Sequence, residues 1–139
     1  MSYSLRINAA GDLDIASGVM KLVRGIDKLT QDLSCFLREP YGTDRFHVLY
    51  GSILDQYVGS IVNNLAEHEI RAEAIRVLSA YQQIQLAAMK DNPSKFDLDE
   101  LLDTVESVNV KVSYDAVYVS VRFRTASQKV GTVQGVVSV

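Results

Sequence analysis

Five carboxylates, Glu39, Asp44, Asp55, Glu67 and Glu73, could in principle carry the hydrolysis of a sugar polymer. A glycosidase needs two carboxyls at a set separation, one of them in an apolar pocket that raises its pKa. Each of the five stands in ordinary polar company, and nothing in the spacing singles out a pair. His68-Glu69 has the start of a metalloprotease helix, but the position four residues after His68 is Ala72 and not a second histidine. His47 and His68 belong to no motif, and no His or Cys pair has zinc-ligand spacing. Cys35 falls among Leu33, Phe36 and Leu37, where a thiol serves as a small buried hydrophobe. These residues point to no catalysis, no cofactor and no metal.

Recognition chemistry is concentrated instead in segment 42–59, Gly-Thr-Asp-Arg-Phe-His-Val-Leu-Tyr-Gly-Ser-Ile-Leu-Asp-Gln-Tyr-Val-Gly. Glycines at 42, 51 and 59 allow backbone conformations closed to other residues, while Arg45, Phe46, Tyr50, Leu54 and Tyr57 gain by being buried or gripped. Such a loop holds a fixed shape. Arg45 could pair with Asp44 or Asp55, or offer its planar donors to a carboxylate or carbonyl elsewhere. Tyr50, Leu54 and Tyr57 also read as core residues beneath the loop, and at least two of them are expected there.

The elements around this segment follow from periodicity. Ile26, Leu29, Leu33, Phe36 and Leu37 recur at helical spacing up to Glu39-Pro40, which predicts a helix over 26–38. Ile70, Ala74, Val77, Tyr81, Ile84 and Ala88 step by three and four with no proline or glycine between Ser60 and Asn92, so a long amphipathic helix is expected there. Glu67, Glu69, Arg71, Glu73 and Arg76 would form its charged opposite face. Ahead of the first helix, residues 12–24 carry Gly18 and are bounded by Gly25, which reads as a short hairpin, although Val19, Leu22, Val23 and Ile26 could equally open a helix. Residues 97–106 are acidic and leucine-bearing, enough for a short helical turn. Val108, Val110, Val112 and Tyr114, then Val117, Val119, Val121 and Phe123, alternate with polar residues around a turn at Asp115-Ala116, the pattern of a hairpin with one apolar face.

The last stretch, 130–139, is β-prone and has neither lysine nor proline to blunt an exposed edge. It either completes the sheet beside the hairpin or pairs with another chain, where backbone bonds give affinity and alternate side chains give selectivity. Val130, Thr132, Val133, Val136 and Val137 would carry that pairing.

Gly42-Thr-Asp-Arg45-Phe46, Tyr50-Gly51-Ser52 and Leu54-Asp55-Gln56, placed directly after a helix, resemble the baseplate wedge proteins of contractile phage tails that initiate the sheath, often labelled lysozyme-like baseplate proteins. Members of that family carry a Gly-x-x-Arg, an aromatic-Gly pair and a Leu before a long helix and a terminal set of strands. The likeness runs over nearly the whole chain in element order. One departure is the Glu-Pro-Arg triplet that the family places between the long helix and the first late strand, where this chain has Lys90-Asp-Asn-Pro-Ser-Lys95 and an acidic run. The resemblance implies a structural subunit of a tail or tailocin baseplate, present in about six copies around a central hub. Its partners would be the tail sheath protein, other wedge proteins and the hub or tube. It further implies that Arg45, Phe46, Tyr50 and Gly51 contact or order a neighbouring wedge protein, and that strand 130–139 templates the first sheath ring.

Bulk properties agree with one folded domain over 1–139. The chain has 139 residues, 47% hydrophobic and 22% charged, with net charge −3. This is enough to bury a core without staples and gives no basic surface for nucleic acid. A single cysteine excludes an intrachain disulfide, and no stretch approaches the roughly 20 apolar residues of a membrane span. Together these predict an α+β fold, with two main helices packed on a mostly antiparallel sheet of a C-terminal hairpin plus a terminal strand. The resemblance further implies a place in the virion tail, assembled in a bacterial cytoplasm. The alternatives are a peptidoglycan hydrolase and a small adaptor domain. Deletion of 130–139 is expected to leave a folded domain and to abolish sheath attachment.

Overall fold

In the computed structural model, which describes residues 2–46, 48, 50–57, 64–113 and 115–138, the order is two short strands, a helix, a loop, a long helix and three long strands. They are β1 (Ser4–Leu5), β2 (Leu22–Val23), α1 (Gly25–Arg38), α2 (Asn64–Asp91), β3 (Leu102–Val112), β4 (Ala116–Thr125) and β5 (Val130–Ser138). Expectations placed on His47, Gly59, Ser60, Tyr114 and Val139 lie outside the described residues.

The two helices cover one face of an antiparallel sheet of order β3-β4-β5. Leu29, Leu33, Phe36 and Leu37 from α1 meet Ile70, Ala74, Val77 and Leu78 from α2 above Val117, Val119, Val121, Phe123 and Val133. Burying these side chains is worth roughly 1.5–3 kcal/mol each relative to exposure, which fixes the sheet's inner face. The outer face carries Lys111, Tyr118, Arg122 and Gln134, with Glu106 bridging Arg122 at 2.9 Å and Arg124 at 2.5 Å.

β3 begins at Leu102, six residues before the alternation legible in the sequence. Its apolar residues Leu102, Val105 and Val108 are three apart, a spacing that belongs to a helix. Two register shifts, at Leu102/Thr104 and Val105/Ser107, absorb the extra residues and keep all three turned inward. The acidic stretch before it does form one short 3-10 turn, Leu98–Glu100.

The N-terminal region corrects a second expectation. Residues 12–24 do not fold back on themselves, because β2 pairs with β1, Ser4 opposite Val23 and Leu5 opposite Leu22. The Arg6 N–H donates to the Lys21 carbonyl and the Arg6 carbonyl accepts from Asp14, so Arg6 joins both sides of the turn. Asp14 also draws in the cations of Lys21 and Arg6, at 3.5 and 3.7 Å. What fixes the partner is this backbone pairing and charge, which leaves no alternating apolar face to read.

Polar residues on the apolar stripe of α2 link the layers. Gln85 donates to the Glu100 carbonyl (2.7 Å) and accepts from the Leu102 N–H (3.0 Å), which seats the start of β3. Tyr81 reaches Asp32 on α1 at 3.3 Å. Asp99 holds the β4–β5 turn through Ser127 and Lys129, and those hydrogen bonds hold its carboxyl below the usual carboxylate range.

Candidate docking site

The described part of segment 42–59, at 42–46, 48 and 50–57, is gripped from beneath. Its start is closed into a loop by Ser52, whose N–H donates to the Glu39 carbonyl (2.8 Å), whose carbonyl accepts from Tyr41 (3.0 Å) and whose hydroxyl donates to the Leu37 carbonyl (2.7 Å). A surface loop with joined ends and its own packing holds its shape. Gly51 permits the closure: its φ is +99°, and a Cβ there would lie 2.6 Å from the carbonyl oxygens of Glu39 and Pro40. Tyr50 stacks edge-on against Phe36 with ring centres 4.1 Å apart, and burial pushes its hydroxyl up to about 12.

The arginine that grips this loop is Arg76 on α2. It donates to the Gly51 carbonyl (3.1 Å), lies 5.0 Å from the Tyr41 ring centre and pairs with Glu73 at 2.6 Å. Glu73 in turn accepts from the Ile53 N–H at 3.1 Å. Glu73 is therefore buried beneath the loop, contrary to its expected place on the charged outer face of α2. A carboxylate and an arginine three apart on a helix can be read from sequence as a pair. Their reach to a loop twenty to twenty-five residues upstream cannot.

The loop tip points away from this anchor. Phe46 is 92% exposed and Val48 68%, and Arg45 beside them is exposed and makes no ion pair among the described residues. Thus Arg45 and Phe46 lie on the surface, while Tyr50 and Gly51 support it from within. Leu54 is fully buried and Tyr57 packs on the core, as expected of core residues beneath the loop.

β5 completes its own sheet. β5 pairs with β4 from Val130 opposite Arg124 to Ser138 opposite Ala116, and Val133 is in the core. Gly131 leaves room for the Phe123 ring, whose Cζ would sit 2.5 Å from a Cβ there. Deleting the strand would strip this packing, against the expectation of an intact domain without it.

β5 is nevertheless an edge. The turn bond from the Thr125 N–H to the Lys129 carbonyl (2.9 Å) marks that pair as hydrogen-bonded, so by alternation Gly131, Val133, Gly135 and Val137 bond to β4. Val130, Thr132, Gln134 and Val136 then turn their N–H and C=O groups outward, where no described strand meets them. The side chains of Val130, Thr132 and Val136 are on the exposed outer face, and Val137 is described as backbone alone.

Beside that edge runs a groove of about 550 Å³. Val133 and Gln134 form one wall, the arm at 6–11 the other, and one flank of α1 the floor. Gln31 pins the arm, donating to the Leu5 carbonyl and accepting from the Ile7 N–H, each at 2.8 Å.

Of the five carboxylates considered for hydrolysis, Glu73 is buried in its ion pair, Glu39 accepts from Thr43 at 2.7 Å and Asp44 caps the Phe46 N–H at 2.8 Å. Among the described residues, no group of three His, Cys, Asp or Glu could hold a metal, and no helix is long and apolar enough to cross a membrane. No protein-family model and no curated protein matches this chain.

Proposed function

We propose that this protein is a structural baseplate subunit of a contractile tail, which accepts an extended strand of the sheath protein on the outer edge of β5 and so starts the first sheath ring. The observation that supports this most is the open edge of β5, with four residues whose backbone groups face outward beside a groove. Strand addition uses such an edge. The strand is an acceptor in this reading, because donating it would remove Val133 from the core and undo nine paired positions. The Arg45-Phe46 tip is the contact to a neighbouring wedge or hub protein. An exposed aromatic beside an arginine on a braced loop has the composition of an interface anchor.

The test is Thr132→Pro. Proline is tolerated where a strand N–H faces away from the sheet, so this change removes one outward donor and leaves the bonds to β4 in place. Baseplates carrying it should assemble without sheath, as seen by electron microscopy, while the purified variant unfolds cooperatively near the unaltered protein. Gln134→Pro repeats the test at a second outward donor. Normal sheaths on both variants would end the proposal.

A further inference from the structure

We infer that the groove beside β5 is the seat of a fourth strand, and that it selects an extended segment with short, hydroxyl-bearing or β-branched inward side chains, a base at one end and an acid at the other. The inference rests on the sheath-docking reading and specifies what the edge accepts.

The helix and the edge strand run in the same direction. Gly25, at the start of α1, lies beside Asp99, which binds Lys129 just before β5 at 2.6 Å. Near the other end, Leu37 packs against Gly135, where a Cβ would stand 3.5 Å away. The 14 residues of α1 span about 21 Å, the length of roughly six strand residues. A segment paired to Thr132 and Gln134 therefore lies beneath the flank of α1 for most of its length.

That flank is a helical stripe with a distinct chemistry at each position. Thr30, Gln31, Ser34 and Cys35 form its middle, all short or polar. A large apolar side chain laid over them would take the Ser34 hydroxyl out of water without replacing its partner, since Thr30 and Gln31 are already bonded to the Ile26 carbonyl and to the arm. Serine, threonine or valine would not. The stripe begins with Asp27 and ends with Arg38, neither in an ion pair among the described residues, whereas the other charged lining residues are engaged, Arg6 by Asp14 at 3.7 Å and Glu39 by the Thr43 hydroxyl at 2.7 Å. With opposite unpaired charges at its two ends, the groove distinguishes the two directions of an inserted segment.

Cys35, the single cysteine, lines the groove and reports its occupancy. The experiment measures alkylation of the full chain by iodoacetamide at pH 8.5. Probes are the purified sheath subunit of the same particle and four capped peptides. Two peptides are Lys-Thr-Val-Thr-Val-Thr-Val-Glu and the same with its end charges exchanged. The other two replace each threonine and valine with tryptophan.

The sheath subunit and one threonine-valine peptide should slow alkylation at least tenfold, the tryptophan peptides should not, and Thr132→Pro should abolish the protection. In the double variant Asp27→Lys, Arg38→Glu, the preferred charge order should invert. Sheath that binds, by sedimentation, without protecting Cys35 overturns the groove while leaving the sheath-docking reading in place. Peptide protection without sheath binding does the reverse. Protection by neither probe, or equally by both peptide types, overturns the selectivity claimed here.

Discussion

Phe46 and Gly51 are five residues apart and do opposite work. Phe46 exposes 92% of its surface, whereas Gly51 occupies a backbone position closed to any side chain. Phe46→Ala should leave the urea midpoint unchanged to within about 0.5 kcal/mol, because exposed sites are tolerant. The same change should weaken incorporation into baseplates by about 2 kcal/mol or more if the ring is an anchor. Wild-type incorporation by Phe46→Ala in a competition assay would remove the tip from the interface. Gly51→Ala must accommodate both a positive φ and a 2.6 Å approach to two carbonyls, and should cost about 2–4 kcal/mol in the same urea titration. A loss under 0.5 kcal/mol would mean that the closure of the loop at Ser52 is not rigid. Glycine at 51 could be read from the sequence as a turn requirement. The residue that braces the loop could not, because Arg76 acts from a distant helix and Arg45, nearer in sequence, points outward.

At the scale of elements, what the sequence makes legible depends on whether a spacing survives in three dimensions. The stripe of α1, the period of α2 and the alternation of β4 are each set by burial on one face, and all three appear where expected. β3 is half hidden because two bulges turn a strand's inward spacing from two into three. The short β1–β2 pair is hidden further, since it is held by backbone bonds and exposed charges that leave no period. For β5 the sequence allowed two partners, and the in-sheet one is realised through Val133 and through Gly131, which admits the Phe123 ring. A chain ending at Lys129 should consequently lose cooperative thermal unfolding. Retention of a sharp transition by calorimetry would mean that β5 is only loosely held, and would revive its role as a donated strand.

For the whole molecule, the helices, the sheet and the braced loop form one cooperative unit whose phenols report on it. Burial, before the nearby carboxylates, raises the Tyr50 hydroxyl to about 12 and also raises that of Tyr81. The folded state therefore favours the neutral phenols. Their contribution is complete below the unfolded value near 10 and is lost as pH rises from there through about 12. Urea titrations should show stability falling across that window, and the fall should shrink in Tyr50→Phe. An unchanged slope in that variant would place the alkaline sensitivity elsewhere.

The central claim is that the open edge of β5 receives a strand, and residue-resolved amide exchange with and without the sheath subunit tests it most directly. Strand addition predicts a parity: Thr132, Gln134 and Val136 exchange readily in the free protein and become protected on binding, while Gly131, Val133 and Gly135 are protected in both states. Sheath binding that leaves Thr132, Gln134 and Val136 unprotected, or no sheath binding at all, would contradict the account.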